Sequence, residues 1–201
     1  METKLQQPNR VFTTKFIASV GILAAASAVL MRLFPFPIPF LPPFLTFDFS
    51  DIPILIGAFA FGPITGLAIA LIKDLICLFS TTNGGVGELA DFITAAALLL
   101  PASIIYQRKK TRKNAVIGLL AGIVAMGIAG ALANQFLLIP FFSHVMPLEQ
   151  IFELCGKVNP FIKDTATYIL YGAIPFNLIK GVALSAITIL IYKKIAYFLH
   201  K

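Results

Sequence analysis

Charge is scarce in this sequence. Only 12% of its 201 residues are Asp, Glu, Lys or Arg, where a soluble domain carries about 25%. Histidine and cysteine are scarcer still: His144, His200, Cys77 and Cys155 are the full set, and none belongs to a CxxC pair. A metal site needs several ligands at defined spacing, so no metal is expected and the cysteines read as free apolar residues. No nucleotide-binding motif is found. The glycine-rich segment from Ser80 to Gly87 lacks the Lys-Ser or Lys-Thr of a phosphate loop and reads as a turn. Internal repeats and low-complexity segments are also lacking. An enzyme needs a nucleophile with a base, a metal set or an acid–base pair. His144 falls in a connecting segment and His200 at the C-terminus, and nothing beside Asp74, Glu88 or Asp91 suggests a reaction. The chain does not read as an enzyme.

What is abundant is apolar. The chain is 58% hydrophobic with a mean hydropathy of +0.90, the composition of an all-α integral membrane protein. One domain spanning residues 1–201 with six transmembrane helices is expected. The net charge of +7 does not point to nucleic acid, because its distribution along the chain explains it. Met1 to Lys15 is polar and basic, and no small-residue cleavage site follows the next apolar run, which reads as a retained first helix.

That helix is expected over about Lys15–Leu33, with a small-residue strip of Ala18, Gly21, Ala24, Ala25 and Ala28. Ala24 and Ala28 form a pair that lets another helix approach closely. Pro35, Pro37, Pro39, Pro42 and Pro43 then forbid a helix. Residues 35–50 read as an ordered loop whose phenylalanines suit an interface or a lid, with Ser50 as a helix cap. Further helices are expected over about Asp51–Phe61, Ile64–Phe79, Glu88–Tyr106, Asn114–Phe142 and Thr167–Ile191, with Gly62-Pro63 as a break. A short amphipathic helix is expected between His144 and Asp164. Lys73 and Asp74 are sequence neighbours, which do not share a helix face, so they are not an obvious ion pair.

With six spans and both termini cytoplasmic, the inner segments hold Lys4, Arg10, Lys15, Arg108, Lys109, Lys110, Arg112, Lys113, Lys193, Lys194 and Lys201, and the outer segments only Lys157 and Lys163. That asymmetry sets the orientation. Asn134 and Asn177 then lie roughly 12–15 Å below the outer face, with Lys180 a turn deeper. Asp74 and Asp91 fall in the same half. Asn177 and Lys180, three residues apart, share one helix face. A lysine inside a membrane helix normally faces a cavity or a partner. The grouping of polar residues in one leaflet suggests a pocket for a polar small molecule, open to the outside. A snorkelling lysine or a structural hydrogen bond is the simpler alternative, and a structural subunit or membrane enzyme are the competing classes.

The segments Phe36–Pro53 and Ile56–Pro63 resemble the loop and second helix of S components of energy-coupling factor (ECF) vitamin transporters. Gly84–Phe92 and Ile174–Gly181 are most similar to the riboflavin-specific kind. The resemblance covers nearly the whole chain and implies a six-helix bundle that binds riboflavin on the outer side of a bacterial cell membrane. Asn134, Asn177 and Lys180 would meet the flavin, with Phe44, Leu45 and Thr46 over it. Asp74 and Asp91 stand where asparagines would be expected, and an ionised carboxylate at either needs Lys73 or Lys180 as partner. No cofactor is implied. The implied partners are a transmembrane coupling subunit and two ATPases, with toppling of the whole component to release its vitamin. Ala24 and Ala28 would contact the coupling subunit, so Ala24→Trp would stop uptake and spare binding. The runner-up ligand is another vitamin or vitamin precursor.

Overall fold

The computed structural model describes residues 13–81 and 83–200, with side chains described as far as residue 191. Lys4, Arg10 and Lys201 lie outside the described residues, as do the side chains of Lys193, Lys194 and His200.

Helix α1 (Thr14–Leu33) starts where Thr13 accepts a hydrogen bond from the Phe16 amide at 3.2 Å. The prolines that follow end it. The expected loop is ordered as a small hairpin, with β1 (Phe36–Pro37) antiparallel to β2 (Thr46–Phe47). Phenylalanine rings hold it: Phe36 and Phe47 are 5.0 Å apart, and Phe47 and Phe49 5.3 Å. At its tip Phe40 takes a positive φ of 67°, rare for a non-glycine residue. The loop leads into α2 (Asp51–Phe61), which Gly62 joins to α3 (Pro63–Leu78) at φ 105°. That angle suits a residue without Cβ. Ser50 precedes α2 but its hydroxyl caps nothing. Asp48 ties the turn before it, its carboxylate accepting the Ser50 amide at 2.8 Å.

Helix α4 (Val86–Arg108) and helix α5 (Arg112–Ala133) pack closely along their length. A Cβ on Gly118 would stand 2.6 Å from the Ala102 carbonyl, and one on Gly122 would strike that of Leu98, so glycine sets the approach. Helix α5 runs through one π-helical turn (Asn134–Leu138) into α6 (Ile139–Val145). The expected amphipathic segment is α7 (Leu148–Val158). Helix α8 (Thr165–Tyr168) is capped by Asp164, which accepts the Thr167 amide at 2.8 Å. A second π-turn (Ile169–Ala173) carries it into α9 (Ile174–His200). Both cysteines are free and buried, and burial pushes the Cys155 thiol up to about 11.

Among the described residues, four helical stretches can cross a bilayer by length and composition: Thr14–Leu33, Val86–Arg108, Arg112–Val145 and Thr165–Ile191. Helices α2 and α3, with 11 and 16 residues, reach only about 16 and 24 Å of a hydrocarbon core of about 30 Å. Helix α2 is apolar on every side and buried from Asp51 to Ala60, as expected of a helix sheathed by others. It touches α1, α3, α4 and α9.

The Ala24 and Ala28 pair does not form the outward face expected of it from the sequence. Ala24 and Ala28 are 1% and 6% exposed. They face inward with Leu23 and Ser27, whose hydroxyl donates to the Ser50 carbonyl. The small residues presented outward are Ala18, Gly21 and Ala25, and space around Gly21 is open. Both sides of α1 are small, so the sequence strip did not distinguish the buried side. Forcing bulk into a packed interior destabilises by about 1–3 kcal/mol or more. Ala24→Trp is therefore expected to lower the thermal transition of the detergent-solubilised protein by several degrees, while Ala25→Trp leaves it unchanged; equal transitions would contradict this packing.

Candidate functional site

The loop, the first turns of α4, the end of α5 and the start of α9 enclose a cavity of about 530 Å³, within the range of small-molecule sites. Its floor is ionic. The Lys180 ammonium, 3% exposed as a residue, stands 3.1 Å from Asp91 Oδ1, 3.2 Å from Asp48 Oδ2 and 3.6 Å from Asp51 Oδ2. The other Asp91 oxygen is paired with Lys73, and Lys73 Nζ is 3.0 Å from Asp74 Oδ1. The loop, α2, α3, α4 and α9 thus each contribute a charge to one buried cluster of four carboxylates and two ammoniums. Asp91 bridges the two lysines. The Asp51 and Asp74 oxygens sit at ion-pair distance but accept no hydrogen bond.

Above the floor are two amides. Asn134, in the first π-turn, donates to the Gly130 carbonyl at 2.8 Å and accepts from the Tyr168 hydroxyl at 2.6 Å. Asn177, one turn before Lys180, donates to the Ala173 carbonyl at 2.8 Å. A Cβ at Gly130 would occupy the place of the Asn177 amide, so that glycine makes the room. An asparagine side chain has two N–H donors and two acceptor lone pairs, so each keeps capacity to spare. Both amides adjoin a π-turn, a distortion often found at functional sites. Leu45 and Thr46 close the other wall, with Phe44 5.9 Å from Phe142 and 5.8 Å from Tyr168 between ring centres. At the rim, the half-exposed Arg32 guanidinium donates to Glu88 at 2.6 Å, and Glu88 also accepts from Thr81 at 2.9 Å. An apolar hollow of about 290 Å³ adjoins the cavity beyond Phe44 and Phe142, under α7.

Of the residues singled out in the sequence, Asn134, Asn177, Lys180, Asp91, Phe44, Leu45 and Thr46 line this one cavity. Asp74 does not; it stands behind the floor on Lys73. Of the two lysines open to Asp74 as partner, Lys73 is the one that meets it, although sequence neighbours do not share a helix face. The long lysine stem carries its ammonium off its own helix face toward Asp91, which brings it within reach of Asp74 as well. Asp48, Asp51, Glu88 and Arg32 join the site without having been expected there, while Lys73 enters as the partner foreseen for Asp74 or Asp91. The signal for the two aspartates was present: buried lysines need carboxylates, and Asp48 and Asp51 bracket the start of α2.

The cavity offers amide edges, one ammonium and aromatic walls, a set that recognises a flat heteroaromatic ligand by its edge and its faces. Residues 15–192 match the family described as ECF transporter, substrate-specific component. The chain is 36% identical over 197 residues to the riboflavin transporter RibU of Staphylococcus aureus (strain TCH60), covering 98% of this chain and 95% of that protein. It is 31% identical over 186 residues to the riboflavin transporter FmnP of Bacillus subtilis (strain 168), covering 90% and 92%. A solved structure, described as the S component of a bacterial ECF transporter, superimposes with a TM-score of 0.75 at 34% identity, over 93% of this chain and 98% of that one. The chain belongs to the substrate-specific components of ECF transporters, which are membrane transport subunits and not enzymes.

Removing one partner of a buried ion pair costs about 3–5 kcal/mol. Asp91→Ala takes a carboxylate from both lysines and is expected to lower the thermal transition more than Asp48→Ala, which takes one from Lys180 alone; the reverse order would contradict the bridging role.

Proposed function

We propose that this chain captures riboflavin outside the bacterial plasma membrane, for uptake driven by a transmembrane coupling subunit and two ATPases. The observation that carries the reading is the cavity itself: two half-satisfied amides and a buried ammonium beneath an aromatic loop, on an S-component fold. The curated relatives named above are riboflavin transporters.

The flavin ring carries alternating acceptors and donors along its polar edge. The spare N–H and lone pairs of Asn134 and Asn177 complement them. Lys180 donates to a ring carbonyl or a ribityl hydroxyl while its carboxylates hold it in place. Phe44 and Leu45 cover the ring faces, excluding water and so strengthening each of these polar contacts. Seven of the residues expected to bind substrate share this cavity; Asp74 acts through Lys73.

A multi-pass arrangement of six membrane helices, with cytoplasmic termini and the cavity facing out, accounts for the charges. Arg108, Lys109, Lys110, Arg112 and Lys113 join the ends of α4 and α5 remote from the cavity. From Asp91 to Arg108 the helix rises about 26 Å, so the cationic end and the cavity belong to opposite faces. The short α2 is tolerated because neighbouring helices cover it. Energy must come from partner chains, since the sequence holds no ATP-binding motif. With Ala24 and Ala28 turned inward, Ala18, Gly21 and Ala25 are the face of α1 left for the coupling subunit.

Asn177→Ala is expected to weaken riboflavin binding about tenfold or more in a folded protein, since it leaves a ring-edge group unpaired; wild-type affinity by flavin fluorescence quenching would refute the site. Lys180→Ala weakens binding as well, and destabilises the fold because Asp48 and Asp51 lose their cation and Asp91 keeps Lys73 alone. Ala25→Trp is expected to keep riboflavin affinity and abolish uptake by cells carrying the partner subunits; normal uptake would remove this face from the coupling interface.

A further inference from the structure

Tyr168 belongs to none of the groups so far assigned to the ligand. It is 2% exposed, stands on α8 immediately before the second π-turn, and borders the apolar hollow and not the main cavity. Its ring packs 5.8 Å from Phe44. Its hydroxyl is 2.6 Å from Asn134 Oδ1, and Asn134 Nδ2 is 2.8 Å from the Gly130 carbonyl.

The direction of these bonds is fixed by chemistry. The Gly130 carbonyl can only accept, so the Asn134 nitrogen faces it. The oxygen then faces the phenol, which must donate. An asparagine amide turns about a broad, two-fold terminal torsion. One hydrogen bond to a backbone carbonyl leaves that plane free to rock; a second bond, from the opposite end of the amide, clamps it. Asn177 has no such second bond, and the backbone at Gly130 crowds it instead.

We propose that Tyr168 is a positioning residue for ligand recognition, holding the Asn134 amide plane so that its remaining N–H and lone pair meet the polar edge of the bound ring. This rests on the proposed role of the cavity and adds a residue behind it. Because the same ring packs against Phe44, the phenol ties the pose of the amide to the loop that covers the site.

The test is a double-mutant cycle on the purified, detergent-solubilised protein, titrated with riboflavin. Tyr168→Phe removes one oxygen and keeps the ring. It is expected to weaken binding about five- to tenfold, with the ligand-free thermal transition unchanged. In an Asn134→Ala background the same substitution is expected to have no further effect, the mark of two residues acting as one unit. Three results would overturn the inference: wild-type affinity in Tyr168→Phe, an equal loss with and without Asn134, or a Tyr168→Phe protein that does not fold. If Asn134→Ala itself binds like wild type, the reading of the cavity fails and this inference with it. If Asn134→Ala is weak and Tyr168→Phe is not, only the role of Tyr168 fails.

Discussion

Two ammonium groups sit where lipid or helix would otherwise surround them, and much of the fold is arranged to pair them with carboxylates. Lys73 and Lys180 are both almost wholly buried. An isolated ion in a low-dielectric interior is intolerable at the scale of several kcal/mol, so carboxylates must meet them from elsewhere in the chain. They come from the loop (Asp48), from α2 (Asp51), from α3 (Asp74) and from α4 (Asp91). Such a cluster holds α9 in register with elements more than a hundred residues away. It also keeps one face of Lys180 turned to the cavity, where a neutral ligand can share the cation without replacing its counter-ions.

The rest of the architecture serves the same arrangement. Helix α2 is short and sheathed, and so delivers Asp51 to the centre of the bundle without having to meet lipid. Glycines at 118 and 122 draw α5 onto α4, and Gly130 clears the volume that the Asn177 amide occupies. The two π-turns re-aim the helices where Asn134 and Asn177 are needed. The hairpin of residues 36–47, stiffened by stacked phenylalanines, supplies the roof and at Asp48 a wall of the floor. The roof is therefore continuous in sequence with one corner of the floor, at Asp48.

Much of this was legible in the sequence. Five prolines within nine residues announced the loop, and hydropathy announced the helices. The spacing of Asn177 and Lys180 put both on one helix face, and both line the cavity. What was not legible depended on reach and on rotation about helix axes. Lys73 and Asp74 are sequence neighbours, and only the length of the lysine stem lets them meet. Ala24 and Ala25 are equally small, and nothing local to α1 says which is inside; the decision is made by Ser27 reaching the Ser50 carbonyl and by the packing of α2. The π-turns have no compositional mark, so the continuation of α5 to Val145 and the early start at Thr165 were set slightly differently from the sequence expectation. Asp48 was hidden by its position in a loop, because Asp51, Asp74 and Asp91 on the helices already outnumber the two lysines.

The most direct test of the central claim is an experimental structure of the protein with riboflavin bound. The expected result has the ring between Asn134 and Asn177, a ligand oxygen within about 3.2 Å of Lys180 Nζ, and Lys180 still paired with Asp91. A flavin bound away from these three residues, or a Lys180 released from its carboxylates into lipid, would contradict it.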